Sequence, residues 1–185
     1  MTRTSADWAN DLFGLAFQGI GVSWIQLAVL PRLAGDVPKA ALPAWLSFLL
    51  AFVLVDYLYY WNHRSLHHPA LWPFHARHHS AADPDWISTA RNFPLTPLLI
   101  VYVWVGGAAA IWIESPAPFF LGLSVGSILD LWRHSGWGPR AGSRWHRALS
   151  TILILPDVHA SHHRTPGKAF GANFVFWDKL HGTWR

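Results

Sequence analysis

The stretch His63-Arg-Ser-Leu-His67-His68-Pro-Ala-Leu-Trp-Pro-Phe-His75-Ala-Arg-His78-His79 puts six histidines into seventeen residues. The HxxHH spacing returns at His159-Ala-Ser-His162-His163, and His134 stands alone at the end of an apolar run. On a helix, residues three and four apart share a face. His63 and His67 should therefore point the same way, as should His75, His78 and His79, and again His159, His162 and His163. Each cluster is expected to aim at one point. Neutral imidazole is a ligand for Fe, Zn, Cu and Ni. One metal rarely takes more than about six ligands, and nine histidines are on offer. The surplus predicts two metals in one polynuclear site at the edge of a membrane. His68, His146 and His181 lie outside the pattern, with His68 a candidate donor behind the ligands.

Outward from the histidines, the composition is that of a membrane protein. Of 185 residues, 52% are hydrophobic and 13% charged, the latter about half the share in a typical soluble domain. The length suits a single domain, residues 1–185. There is no cysteine, which rules out disulfides, thiolate metal sites and Fe–S clusters. The formal charge is +4 with no basic run to make a nucleic-acid footprint, so no nucleic-acid partner is expected.

Four apolar runs follow one another at about 12–30, 42–61, 94–113 and 117–132. The first is nineteen residues without a charge, about 30 Å as a helix, enough to cross a hydrocarbon core. Residues 1–11 lack the basic start and small-residue cleavage site of a signal peptide. Pro69 and Pro73 break the helix between the first two histidine clusters. Pro156-Asp157 reads as the start of the helix carrying the last one. Asp56 lies one turn before Tyr60 and two before His63, which makes it a candidate to orient a ligand histidine.

Four crossings would put both termini and the loop after the second run on one side. Twelve of the fourteen Lys and Arg then fall on that side, including Arg3, Arg64, Arg133, Arg164 and Arg185. Only Arg32 and Lys39 fall on the other. The bias makes the populated side cytoplasmic, and every histidine falls there. The expected fold is an all-α, multi-pass integral membrane protein: about four transmembrane helices under a cytosolic, histidine-rich helical cap.

From Asp56-Tyr-Leu-Tyr-Tyr-Trp-Asn-His63-Arg64-Ser-Leu-His67 through Leu71-Trp-Pro-Phe-His75-Ala-Arg-His78-His79-Ser80, His134-Ser135 and His159-Ala-Ser-His162-His163-Arg164 to Asn173 and Trp177-Asp178-Lys-Leu-His-Gly182-Thr183, the chain resembles the fatty acid hydroxylase/sterol desaturase superfamily. The resemblance covers about residues 50–185. It implies a non-haem di-iron centre whose ligands are His63, His67, His75, His78, His79, His134, His159, His162 and His163. Asp56, Asp130, Asn173 and Asp178 would stand behind them. Asp130 occupies a position where some members carry a further His. Where the family commonly shows Arg-x-His-Pro-x-Glu, this chain has Arg91-Asn-Phe93-Pro94-Leu-Thr96.

The activity so implied is O2-dependent hydroxylation or desaturation of a lipid, sterol or fatty acyl. The substrate would come from the bilayer and lie against Trp, Phe and Leu side chains. No flavin, nicotinamide or haem motif is present, so electrons would come from a cytochrome b5, a ferredoxin or a reductase. All-imidazole sites also accept zinc, the ion to expect as a purification substitute. Two alternatives are a family member retaining only a structural metal, suggested by the Arg91–Thr96 departure, and a membrane metal-binding or transport protein. Transport would need polar ligands within the spans, and the first and third runs carry neither charge nor histidine.

Overall fold

The computed structural model describes residues 3–184. Among them the chain is helical throughout, with two isolated β-bridges. Helix α1 (Ser5–Ala34) and α2 (Ala44–Leu66) are long and apolar enough to cross a membrane. After them come α3 (Trp72–His75), α4 (Thr96–Leu99), α5 (Val101–Trp112), α6 (Ala117–His134), α7 (Arg144–Leu149), α8 (Pro156–Arg164) and α9 (Val175–Leu180).

Local sequence sets the boundaries. Thr4 and Asp7 form a reciprocal capping box at the start of α1. Gly35, at φ 66°, ends the helix in a conformation that suits glycine. Pro156 opens α8 where the sequence places a helix start. The third apolar run departs from expectation. It is not one span: Ile100 is extended, at φ −80° and ψ 129°, and separates α4 from α5. The twelve residues of α5 reach about 18 Å, short of the hydrocarbon core. The β-branched pair Ile100–Val101 favours extended backbone at the break.

The helices approach closely where small residues allow it. A Cβ on Gly122 of α6 would meet the Phe48 carbonyl oxygen and the Ala51 methyl of α2 at 2.7 Å. A Cβ on Gly107 of α5 would meet Leu30 of α1 at 2.2 Å. Ala51, Val55, Ala109, Ile113 and Phe119 form the bundle core. A second core, Ile154, Leu155, Val158, Ala169 and Val175, underlies the C-terminal segment. The loop after α1 pairs with the turn after α5, through Ala40 N–H to the Trp112 carbonyl (2.7 Å) and Glu114 N–H to the Ala40 carbonyl (3.1 Å). Both connections therefore share one end of the bundle. The histidines occupy the other, where α2 and α6 finish against α8. The outer face of α1 exposes Leu12, Phe13, Ile20, Trp24, Leu27 and Leu33, an apolar surface suited to lipid.

The polar start of α1 is tied to the histidine end. Arg91 makes two hydrogen bonds to the fully buried Asp11, Nε to Oδ1 at 2.7 Å and Nη2 to Oδ2 at 2.8 Å. Arg3 adds a third, Nε to Asp11 Oδ2 at 2.9 Å. A Cβ on Gly14 would strike the Ala90 carbonyl oxygen, so α1 lies directly on the turn that carries Arg91. Removing one partner of a buried pair costs about 3–5 kcal/mol when the other charge is left alone; Arg3 stays on Asp11 and makes this an upper bound. Arg91→Met should thus lower the thermal midpoint in detergent strongly. Arg91→Met/Asp11→Leu, which removes both charges, should recover most of the loss; a double variant as unstable as the single would refute this account.

Candidate metal centre

Nine histidines converge, and they do so as two groups rather than three. His63, His67, His79 and His162 bring one ring nitrogen each to within 4.8 Å of one another, and so do His78, His134, His159 and His163. His75 joins the first group by its Nε2, 3.1 Å from that of His63 and 3.2 Å from that of His79. Its ring stacks on His78 at 5.1 Å, between the groups. The expectation that each sequence cluster aims at one point is corrected here. Of each adjacent pair, His79 and His162 face the first group while His78 and His163 face the second. Neighbouring residues on a helix point about 100° apart, so two adjacent histidines serve two centres.

Backbone carbonyls fix which nitrogen faces inward. The Nδ1–H groups donate from His63 to Phe170 (2.8 Å), from His134 to Asp130 (2.8 Å), from His162 to Lys168 (2.6 Å) and from His163 to Ala81 (3.0 Å). His79 donates likewise to the His163 carbonyl at 3.4 Å. A carbonyl only accepts, so each of these rings carries its proton on Nδ1 and its lone pair on Nε2. In each close pair at least one such lone pair faces the neighbouring ring's Nε2. His134 and His159 have Nε2 atoms 2.9 Å apart, His159 and His163 3.1 Å, His78 and His134 3.4 Å, and His63 and His67 3.3 Å. Metal–imidazole bonds of about 2.0–2.1 Å put the nitrogens around one ion about 3 Å apart. The spacing and the lone-pair orientation both fit cations. The buried His162 Nε2, with no hydrogen-bond partner, fits the same role.

Burial keeps these rings neutral. Desolvation is the first cause in every case, reinforced by the neighbouring imidazoles. It pushes His67 and His162 down to about 3 and His79 to about 4. His75, His78 and His159 are pushed well below the ordinary histidine value.

The residues expected behind the ligands divide. The Asp178 carboxylate accepts the Phe170 and Gly171 N–H groups, each at 2.8 Å, and the Thr183 hydroxyl at 2.7 Å. It thereby holds the Phe170 carbonyl that orients His63. Asp130 has a carboxylate oxygen 3.3 Å from His134 Nδ1 and is paired with Arg133. Asn173 accepts from Arg133 at 3.5 Å. Asp56 corrects the expectation that it orients a histidine. It accepts the Asn173 N–H at 3.0 Å and the Trp177 indole N–H at 2.8 Å, locking the C-terminal segment onto α2. His68 is exposed, and its Nδ1 accepts the Ala70 N–H across a turn, so it is no donor behind the ligands. His146 meets Asp157 at 3.1 Å. His181 stacks on Tyr57 and Tyr60 at 5.8 and 5.1 Å.

The Arg91–Thr96 departure has a structural use. Arg91 anchors α1, and the buried Thr96 hydroxyl donates to the Phe74 carbonyl at 2.6 Å, bracing the turn that ends in His75. The carbonyls of Asp130, Lys168, Phe170 and Ala81 escape sequence reading, because any residue type supplies one.

The fatty acid hydroxylase family model matches residues 48–183. The chain is 31% identical to an ornithine lipid hydroxylase of Rhizobium tropici, covering 76% of this chain and 42% of that protein. It is 28% identical to the alkylglycerol monooxygenase of Homo sapiens, over 99% of this chain and 40% of that protein. It is 31% identical to a very-long-chain aldehyde decarbonylase of Oryza sativa, over 77% and 55%. The chain thus spans two-fifths to just over half the length of these relatives. No solved structure matches.

In the metal-free protein the buried rings stay neutral below the pH at which unfolded histidine protonates. The unfolded state then binds more protons, so stability is full above about pH 6.5 and falls as pH drops from there toward 4. Thermal midpoints of metal-free protein across that range check the sign; a flat profile refutes it. Asp178→Asn should free the Phe170–Gly171 turn and weaken metal affinity about 10–100-fold, read by competition with a chelator.

Proposed function

We propose, for a chain that belongs to the fatty acid hydroxylase family, that it is the membrane-embedded catalytic unit of a di-iron lipid oxygenase, hydroxylating or desaturating an alkyl or acyl chain. The observation that carries this reading is the pair of histidine groups whose Nε2 lone pairs converge at about 3 Å. His63, His67, His75, His79 and His162 would hold one iron, and His78, His134, His159 and His163 the other. Two irons there would supply the O2 chemistry that removes hydrogen from an unactivated C–H bond.

The chain's own residues do the rest. The carbonyls of Phe170, Asp130, Lys168 and Ala81 keep five-membered rings from rotating and hold each proton on Nδ1, away from the reacting side. Burial keeps the imidazoles neutral and water scarce. A cavity of about 80 Å3 beside His63, His78, His134 and His159 is walled by Tyr59 and Tyr102, stacked at 5.0 Å. It gives a substrate carbon a place next to the histidines.

Membrane insertion is supported by the two long apolar helices and the apolar outer face of α1. We read the third run, α4 and α5 together across the break at Ile100, and α6 as a hairpin completing four crossings. The basic bias puts the termini and the histidines on the cytoplasmic side; Arg185, counted in that bias, lies outside the described residues. That side would meet an electron donor such as a cytochrome b5, a ferredoxin or a reductase. The reading of a purely structural metal is disfavoured, because Arg91 and Thr96 serve the fold rather than leaving a gap in the histidine set.

Metal counting tests the proposal. Protein purified from iron-supplied cells at low oxygen should carry about two metals per chain. His78→Ala and His79→Ala should each lose about one, from different centres. Lipids incubated with the intact enzyme and a donor should gain 16 mass units or lose 2, as oxygen insertion or hydrogen removal requires. One metal or none in folded protein, unchanged by either substitution, would be incompatible with the dinuclear reading.

A further inference from the structure

A second, larger cavity leads to the histidines from the bundle side. It is a groove of about 370 Å3 between α1, α6 and the 97–103 segment. Gln18, Ile100 and Tyr102 line both this groove and the small cavity beside His78, His134 and His159. The two spaces therefore adjoin at one neck. The groove runs along α6 from Phe120 to Ile128, about 12 Å. Its flank on α6 is open, with Ser124, Ser127 and Ile128 exposed, at the depth of the middle of α1. Of the Trp, Phe and Leu walls expected from the sequence, only Phe120 and Leu123 are present. Aliphatic side chains alternate with Ser23, Ser124 and Ser127, whose hydroxyls donate to carbonyls of their own helices.

Gln18 is the odd residue at the neck. Its amide makes no hydrogen bond among the described residues, whereas Gln26, two turns on, donates to the Tyr102 carbonyl at 2.6 Å. Gln18 also sits in the π-helical turn Phe17–Gly21, a distortion found frequently at functional sites. A primary amide at membrane depth is poorly placed without a polar partner. Ile100, extended between α4 and α5, opens the opposite wall.

We propose that this groove receives a single acyl or alkyl chain from the bilayer, and that Gln18 is a positioning residue that hydrogen-bonds a polar group of that chain beside the carbon presented to the histidines. The substrate class is then a chain lipid with an ester, amide, ether or hydroxyl near its reacting carbon, rather than a plain hydrocarbon or a sterol nucleus. This rests on the oxygenase reading for the meaning of "reacting carbon", but the groove itself can be tested without turnover.

The chain has no cysteine, so a single introduced thiol reports on one place. Ser127→Cys in the groove and Ser115→Cys in the turn before α6 would be held in micelles of a fluorinated surfactant, which brings no acyl ester and no hydrocarbon chain of its own, and labelled with an apolar maleimide. Methyl palmitate should slow labelling at position 127 and leave position 115 unaffected. It should do so at a concentration roughly fivefold lower than hexadecane, the worth of one hydrogen bond. Gln18→Leu should erase that difference, and Gln18→Asn should keep part of it. No protection at position 127 overturns the groove. Equal protection by ester and alkane, unaltered by Gln18→Leu, overturns the role of Gln18. Stronger protection by cholesterol overturns the single-chain class. Metal content of the same samples separates the two readings: two metals without protection leaves the oxygenase standing and removes the groove, whereas protection without metals does the reverse. In active enzyme, Gln18→Leu should spread the site of oxidation along the chain, a change that simple destabilisation does not produce.

Discussion

Lone pairs pointed at lone pairs are the constraint on which this protein depends. In each group four ring nitrogens lie within 4.8 Å of one another, and the nearest Nε2 pairs are 2.9 to 3.4 Å apart. In His63, His79, His134, His162 and His163 the Nδ1 proton is already committed to a backbone carbonyl. Without a cation between them these nitrogens repel, and protonation is opposed by burial. Metal binding resolves the conflict, so the free energy of binding is also free energy of folding. The apparatus around the histidines can be understood as what keeps them pointed inward despite that repulsion.

That apparatus is a set of buried polar clamps between two hydrophobic cores. Asp56 fastens the 173–177 turn to α2. Asp178 ties the Phe170–Gly171 turn to Thr183. The Tyr60 hydroxyl meets Thr183 at 2.9 Å and receives Arg64 at 3.1 Å. Asp56 and Tyr60 join the C-terminal segment to α2, which carries His63, while Asp178 closes that segment on itself. A carboxylate that orients a turn controls a histidine through one intervening carbonyl, which is stiffer than contact through a mobile side chain. Arg91 and Asp11 do for α1 what these residues do for the C-terminal segment, and so set the wall that bears Gln18.

The bundle and the centre meet asymmetrically. α2 and α6 deliver His63 and His134 from their C-terminal ends, while α8 supplies histidines to both groups from one surface. The break at Ile100 interrupts the wall between bundle and centre. Ile100 itself lines both the groove and the small cavity.

The sequence by itself determined the helical class, the apolar runs, the doubled HxxHH and the absence of thiolate chemistry. Hydrophobic length and side-chain type are local properties, legible in one dimension. It also marked Pro156 as a helix start and the polar, basic end as the place of the histidines. What it did not determine was which histidine belongs with which. Adjacent residues such as His78 and His79 diverge by about 100° on a helix, so their partners come from other segments. Nor did it show that Asp56 clamps a turn, that His68 faces solvent, or that Arg91 reaches Asp11 eighty residues away. Those outcomes rest on backbone carbonyls and on the angles between helices. Every residue has the same carbonyl, and the angles are set by close contacts such as Gly122 on Ala51. Only the tertiary structure, by bringing distant turns together, could decide them.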